Sequence, residues 1–246
     1  IVHPGKTRLQ LLDEIEEGIV IFTAHGVSRQ VMEKAQRKGL TCVDASCSDV
    51  RKTQQIVAQA IALGTEVLYI GKQGHPEAEA VLAISDHVHP IYHKASLETL
   101  QLDGCDILVT NQTTMSILEI ADLMDCIRQR YPQARFEKEI CNATRIRQQA
   151  IRQLRDVDLL IVVGDPHSNN SNKLKDIALQ SGIRDVLLIE SAEQLNPQQL
   201  TCFERIAVTS GASTPTYLTQ QVIDVLHQIA AGTVNELPRV DLSRIL

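Results

Sequence analysis

Short runs of Val, Ile and Leu recur along this chain, and each breaks off in a polar or glycine-bearing stretch. They read "GIVIFTAHG", "LTCVDASCS", "EVLYIGKQGHPE", "DILVTNQTT", "LLIVVGDPHSNN", "DVLLIES" and "RIAVTSGAST". Between them lie amphipathic segments such as "SRQVMEKAQRKG", "VRKTQQIVAQAIALG" and "ILEIADLMDCIRQRY". Apolar strands alternating with helices of about 10 to 15 residues require parallel layers, because parallel strands need a crossover and are covered on both faces. The expected fold class is α/β, in small α/β/α units with mainly parallel sheets. No low-complexity linker or long charge block interrupts the pattern, so joins between units must be tight.

In open α/β sheets, ligands sit beyond the carboxyl ends of the strands. Here those ends are polar one after another: Thr23, His25 and Ser28; Ser46, Cys47 and Ser48; His75 and Glu77; Asn111, Gln112, Thr113 and Thr114; Ser168, Asn169 and Asn170; Ser210 and Ser213. Several sheets aiming such ends at a common polar site is the reading this suggests. The densest case is "HSNNSN", residues 167 to 172, which holds six hydrogen-bonding side chains in a row. A helix N-cap needs one of them. The excess, with Thr113 and Ser213, reads as an anion cradle, since neutral donors beside helix N-termini can hold a diphosphate without lysine or magnesium.

Composition narrows the partners. Aromatic content is 3% with no Trp, which argues against stacking platforms for single-stranded nucleic acid. The formal net charge of −6 gives no basic footprint for nucleic acid or an anionic membrane. No apolar run approaches the roughly 20 residues that span a bilayer, and no signal peptide is visible. Cysteines at 42, 47, 105, 126, 141 and 202 are spread too widely for a disulfide scaffold. A reducing cytoplasm is expected, with most of these thiols buried and structural.

Two cysteines stand apart. Cys47 in "DASCSDV" and Cys141 in "KEICNAT" each follow a strand-like stretch and precede a helix, where the helix N-terminus favours a thiolate ligand or nucleophile. The chain has no Cys-x-x-Cys spacing for a zinc ribbon. His25 and His75 follow strands, placed to meet an anion. Glu77 is fixed behind Pro76 and becomes a proton donor if it is shielded, or a solvated helix-start acid if it is not. His87, His89 and His93 in "DHVHPIYHK" lack a nearby carboxylate pair and read as surface residues of a strand or turn.

Taken in order, "AHGVS", "DASCSDV", "GHPEAE", "TNQTTMS", "EICNAT", "GDPHSNNSN" and "TSGAST" resemble the successive signatures of the 4-hydroxy-3-methylbut-2-enyl diphosphate reductase family, from about residue 11 to residue 215. The resemblance implies three α/β units in pseudo-threefold arrangement around a central cavity. The expected units are residues 1–47 with the tail 226–246, then 48–137, then 138–225. It further implies a [4Fe–4S] cluster held by Cys47 and Cys141, and a diphosphate bound by His25, His75, Ser168, Asn169, Asn170 and Ser213, with His3 as a further candidate. Thr113 would meet the substrate hydroxyl or its water network, and Glu77 would relay protons. The implied reaction is the two-electron reductive dehydroxylation of that diphosphate to isopentenyl and dimethylallyl diphosphates. Its implied partner is an electron donor of ferredoxin or flavodoxin type.

The chain departs from the family pattern in several places. A third cluster cysteine, in a segment resembling R-G-F/Y-C-x-G-V, is not among these residues, and the expectation is that it belongs to a stretch outside them. "IVH" joins "PGKTRLQLLDEI" about a dozen residues early. Ser48, Ala80 and Asn169 stand where Pro, Gly and Ser are common. Two other readings compete: a phosphotransferase or hydrolase using the anion cradle, and a diphosphate-binding remnant without a cluster. The first lacks a G-x-x-x-x-G-K-[ST] loop or a paired-carboxylate magnesium site.

Overall fold

The computed structural model describes residues 5–115, 117–137, 142–234 and 236–244, leaving aside the side chains of 117–119 and 142. The short helix α1 (Arg8–Leu11) precedes β1 (Ile19–Phe22), α2 (Arg29–Arg37), β2 (Thr41–Asp44) and α3 (Ser48–Ala62). Next come β3 (Glu66–Ile70), α4 (Pro76–Leu82), β4 (Val88–Ile91), β5 (Ile107–Asn111), α5 (Ile117–Arg130) and β6 (Arg135–Phe136). The remainder runs through α6 (Asn142–Gln153), β7 (Leu159–Val163), α7 (Asn169–Gln180), β8 (Asp185–Ile189), α8 (Pro197–Leu200), β9 (Ile206–Ser210) and α9 (Thr216–Ala230).

Among the described residues the strands form three sheets, ordered β1-β2, β4-β3-β5-β6 and β8-β7-β9. Every pairing is parallel, as the alternation of strands and helices requires. The backbone gathers into two compact units, residues 1–140 with the first two sheets and residues 141–246 with the third. Each of the three units expected from the sequence holds one of these sheets.

Side-chain alternation along the strands sends residues to two cores. In β3, Leu68 and Ile70 join Ile107, Val109, Met124 and Ile127 on one face. Val67 and Tyr69 join Val57, Ala78, Val81 and Leu108 on the other. The third sheet repeats this, with Leu159, Ile161 and Val163 in one cluster and Leu160 and Val162 in another. Continuous apolar strands are what a parallel sheet covered on both faces demands. The first sheet differs: Phe22 packs with Leu12, Val31 and Ala35, while Ile19 and Ile21 on its other face are 69% and 61% exposed.

Of the histidines in "DHVHPIYHK", His87 and His93 are exposed, as expected of surface residues. A single carboxylate and not a pair is within reach: His87 Nδ1 and His89 Nε2 lie 2.8 and 2.7 Å from the two oxygens of Glu66. The reason is pairing, since β4 lies beside β3 and brings His89 level with Leu68. As the edge strand, β4 also tolerates Pro90. The thiols are less buried than expected: Cys42, Cys47, Cys105 and Cys126 are half-buried and Cys202 is exposed. The tail, expected to return to the first unit, runs along α9 in the second. There Val234 and Leu237 join the third sheet's core, Gln221 donates to the Arg239 carbonyl at 3.2 Å, and the Arg244 guanidinium lies 4.3 Å from the Tyr217 ring centre.

The β3–β5 pair carries the strand ends discussed next, so its packing sets their position. Leu68 is wholly buried between the sheet and α5. Leu68→Ala should cost about 2–5 kcal/mol of stability in urea denaturation, the range for a buried leucine that leaves a cavity. A loss below about 1 kcal/mol would mean that this core collapses to fill the gap.

Candidate active site

Glu77 has no solvent exposure at all. Pro76 opens α4, and the His75 ring caps it, with Nδ1 accepting the Glu77 amide at 3.2 Å. That turn sends the Glu77 side chain inward, where the end of β5 meets it. The Thr113 amide donates to Glu77 Oε1 at 2.9 Å and the Thr113 hydroxyl to Oε2 at 2.9 Å. A third donor, the Tyr69 hydroxyl, stands 3.5 Å from Oε1. Burial pushes the Glu77 pKa up to about 7, against the pull of these donors, and the charge on Asp49 adds to the rise.

Strand pairing holds this geometry in place. Ile70 lies level with Asn111, and the Gln112 amide continues the ladder to the Ile70 carbonyl at 2.7 Å. The Gln112 side chain accepts the Lys72 amide at 3.0 Å and donates to Thr114 at 2.9 Å. The β3–α4 loop and the residues after β5 are thereby locked to each other.

Beside this acid stand the two histidines. The His25 and His75 rings meet edge to face, with centroids 5.1 Å apart. An accepting Nδ1 puts the His75 proton on Nε2, so His75 is a neutral donor. Burial, then the charges of His25, Lys72 and Arg8, lower its pKa to about 4. Desolvation and Arg8 also lower that of His25. Arg8 is missing from the sequence reading, which had no motif to find it by. Its guanidinium donates to the Gly26 carbonyl at 2.5 Å and supplies a fixed positive charge near both rings.

Cys47 is the N-cap residue of α3 and is half-buried. Its amide donates to the Ala24 carbonyl at 3.0 Å, tying the ends of β2 and β1 together. A half-buried thiol at the head of a 15-residue helix has the donor chemistry that fits an iron–sulfur ligand. Cys141 and His3 lie outside the described residues. Among the described residues, no group of three or more His, Cys, Asp or Glu side chains is arranged to hold a metal ion.

The second unit accounts for "HSNNSN" residue by residue. Ser168 caps α7, its Oγ accepting the Ser171 amide at 3.4 Å. Asn172 closes the turn by donating to the carbonyls of Pro166 at 2.6 Å and Ser168 at 3.0 Å. Asn170 is left over: it is 6% exposed, and neither polar atom of its amide has a hydrogen-bond partner among the described residues. Such a group is costly without a ligand. Asn169 is half-buried and Ser213 exposed. Gly211 makes room here, since a Cβ would come within 2.8 Å of Ser171 Oγ and 2.9 Å of Thr214 Oγ1.

Polar strand ends suited to a small anion in both units, with a shielded acid in the first, mark an α/β enzyme acting on a small anionic substrate. The chain belongs to the LytB protein family, whose family model matches residues 5–227. A Brevibacillus brevis protein named 4-hydroxy-3-methylbut-2-enyl diphosphate reductase is 49% identical over 228 residues, covering 91% of this chain and 73% of its own. A Bacillus cereus protein of the same name is 45% identical over 251 residues, covering 100% of this chain and 79% of its own. The E-1-hydroxy-2-methyl-but-2-enyl-4-diphosphate reductase of Plasmodium falciparum has a similar structure, with a TM-score of 0.81 and 26% identity over 94% of this chain and 77% of that one.

Glu77 makes a pH-dependent contribution to stability. Its folded pKa lies near 7, above the ordinary value of 4.5, so its stabilising effect is full below pH 4.5 and is lost as pH rises through 7. Relative to wild type, Glu77→Gln should gain on the order of 3 kcal/mol between pH 4.5 and 8, at about 1.4 kcal/mol per pKa unit. Urea titrations of both proteins across that range check this. A constant difference would mean that Glu77 titrates like an exposed carboxylate.

Proposed function

We infer that this chain catalyses the reductive dehydroxylation of 4-hydroxy-3-methylbut-2-enyl diphosphate, the activity named for its relatives. The single observation carrying the chemical side of this reading is Glu77, a buried acid whose pKa near 7 lets it hold and release a proton at neutral pH. Replacing hydroxyl by hydrogen takes two electrons and two protons. One proton leaves with the oxygen as water, and the other ends on carbon. Which allylic carbon receives it decides between isopentenyl and dimethylallyl diphosphate.

Hydroxide is a poor leaving group, so the departing oxygen must gain a proton. With Glu77 protonated on Oε2, the 2.9 Å contact runs the other way: Oε2–H donates to Thr113 Oγ1, and Thr113 passes its own hydroxyl proton to the substrate oxygen. The Thr113 amide then steadies the carboxylate left behind. For the diphosphate we assign His75 Nε2–H, His25, Ser168, Asn169, Asn170 and Ser213, with His3 as a further ligand. The unpaired amide of Asn170 and the neutral state of His75 support that assignment. Cys47, and by the family resemblance Cys141, would hold a [4Fe–4S] cluster. When bound, the cluster supplies electrons singly, and an iron with an open position adds Lewis acidity. The electrons would come from a ferredoxin or flavodoxin type donor. No described helix is long and apolar enough to cross a membrane.

In protein reconstituted anaerobically with iron and sulfide, Glu77→Gln should keep its cluster absorption and substrate affinity yet lose about 10²-fold or more in turnover, the scale of general acid catalysis. Near-normal turnover under a saturating reductant would assign the proton to another group.

A further inference from the structure

Tyr69 has no part in the relay just described, yet its hydroxyl is the third donor facing the carboxylate of Glu77. The side chain is fully buried in the core between β3 and the helices α3 and α4, among Val57, Ala78 and Val81. A phenol there must find a partner for its O–H. That partner is Glu77 Oε1, at 3.5 Å. The ring is seated by design of the backbone: a Cβ on Gly71 would lie 2.9 Å from Tyr69 Cε1 and 3.3 Å from Cδ1. Any larger residue at position 71 would push the ring from this place.

The hydroxyl cannot serve as a proton entrance, because Tyr69 touches no solvent. Nor does it release its own proton, since burial and then the charge of Glu77 raise its pKa well above 10. It is a permanent donor at a dead end. At 3.5 Å an O–H···O bond is weak, and such bonds strengthen when the acceptor becomes charged. The other groups acting on the carboxylate are Thr113, whose two bonds span both oxygens, and Asp49 of α3, whose charge opposes ionisation.

We propose that Tyr69 is a positioning residue for Glu77: by donating to Oε1 it keeps Oε2 directed at Thr113 and stabilises the carboxylate that forms once the proton has left. The proposal rests on the assignment of Glu77 as the proton carrier. Its consequence is that the O–H of Tyr69, buried in what looks like ordinary core, sets how readily the acid gives up its proton.

Tyr69→Phe removes the hydroxyl and keeps the ring, so the core stays filled. The carboxyl stretch of protonated Glu77, identified by its absence in Glu77→Gln, can be titrated by infrared spectroscopy without turnover. Its midpoint should rise in Tyr69→Phe, with proton affinity up about three- to tenfold, the scale of one modest hydrogen bond to a charged group. The corresponding limb of the kcat profile should move the same way, with KM for the diphosphate unchanged. Tyr69→Leu serves as the packing control. An unmoved infrared midpoint in Tyr69→Phe, with impairment confined to Tyr69→Leu, would overturn the proposal and leave Tyr69 as core filler. The titration also separates the two claims: normal turnover in Glu77→Gln would overturn the acid's role, whereas an unmoved midpoint overturns only that of Tyr69.

Discussion

A carboxylate with no access to water must be met by donors or carry its proton, because the cost of an unpaired buried charge is several kcal/mol. Glu77 is held between these two solutions, and much of the first unit is arranged around it. Pro76 and the His75 ring fix the first turn of α4, so the side chain enters the core from one direction. The register of β3 against β5 puts Thr113 over that entry, 36 residues away in sequence. The Gln112 side chain then bonds the loop after β3, which keeps the two ends from sliding apart. Each of these contacts would be ordinary alone. Together they keep an acid dry without leaving it unpaired.

The second unit solves the opposite problem. At the head of α7 the polar groups are mostly satisfied locally, by a cap from Ser168 and a turn from Asn172. Asn170 is the exception, buried with an idle amide. Gly211 and Gly164 leave space beside it for Ser171 Oγ and Thr214 Oγ1, since a Cβ on either glycine would lie within 3.2 Å of both. Burying that amide costs stability locally, in keeping with the role proposed for Asn170 toward the diphosphate.

Much of this is legible in the sequence. The apolar runs located the core strands because parallel sheets need them, and the polar residues after each run located the strand ends. What escaped was whatever depended on partners far along the chain. β4 was ambiguous because Pro90 and its histidines look unlike a core strand, and only its place at the edge of the sheet makes that composition acceptable. Glu77 could be read as a helix-start acid, but its burial comes from β5. Tyr69 lies inside the apolar run of β3, whose periodicity carries no trace of where the hydroxyl ends. Arg8 gave no signal whatever, standing in a short helix whose contact with Gly26 is tertiary.

The histidine pair has a consequence for traffic through the site. His75 has a pKa near 4 and His25 is lowered too, so near neutral pH the pair offers dipoles in place of two full charges. Substrate and products of the inferred reaction share the same diphosphate. A grip built on protonated rings would hold both equally, and tight uniform binding does nothing for the chemical step while it delays departure. If the pair holds the diphosphate as proposed, uncharged rings loosen that grip at both ends of the cycle. The half of the molecule that the reaction never alters would then not clog the site.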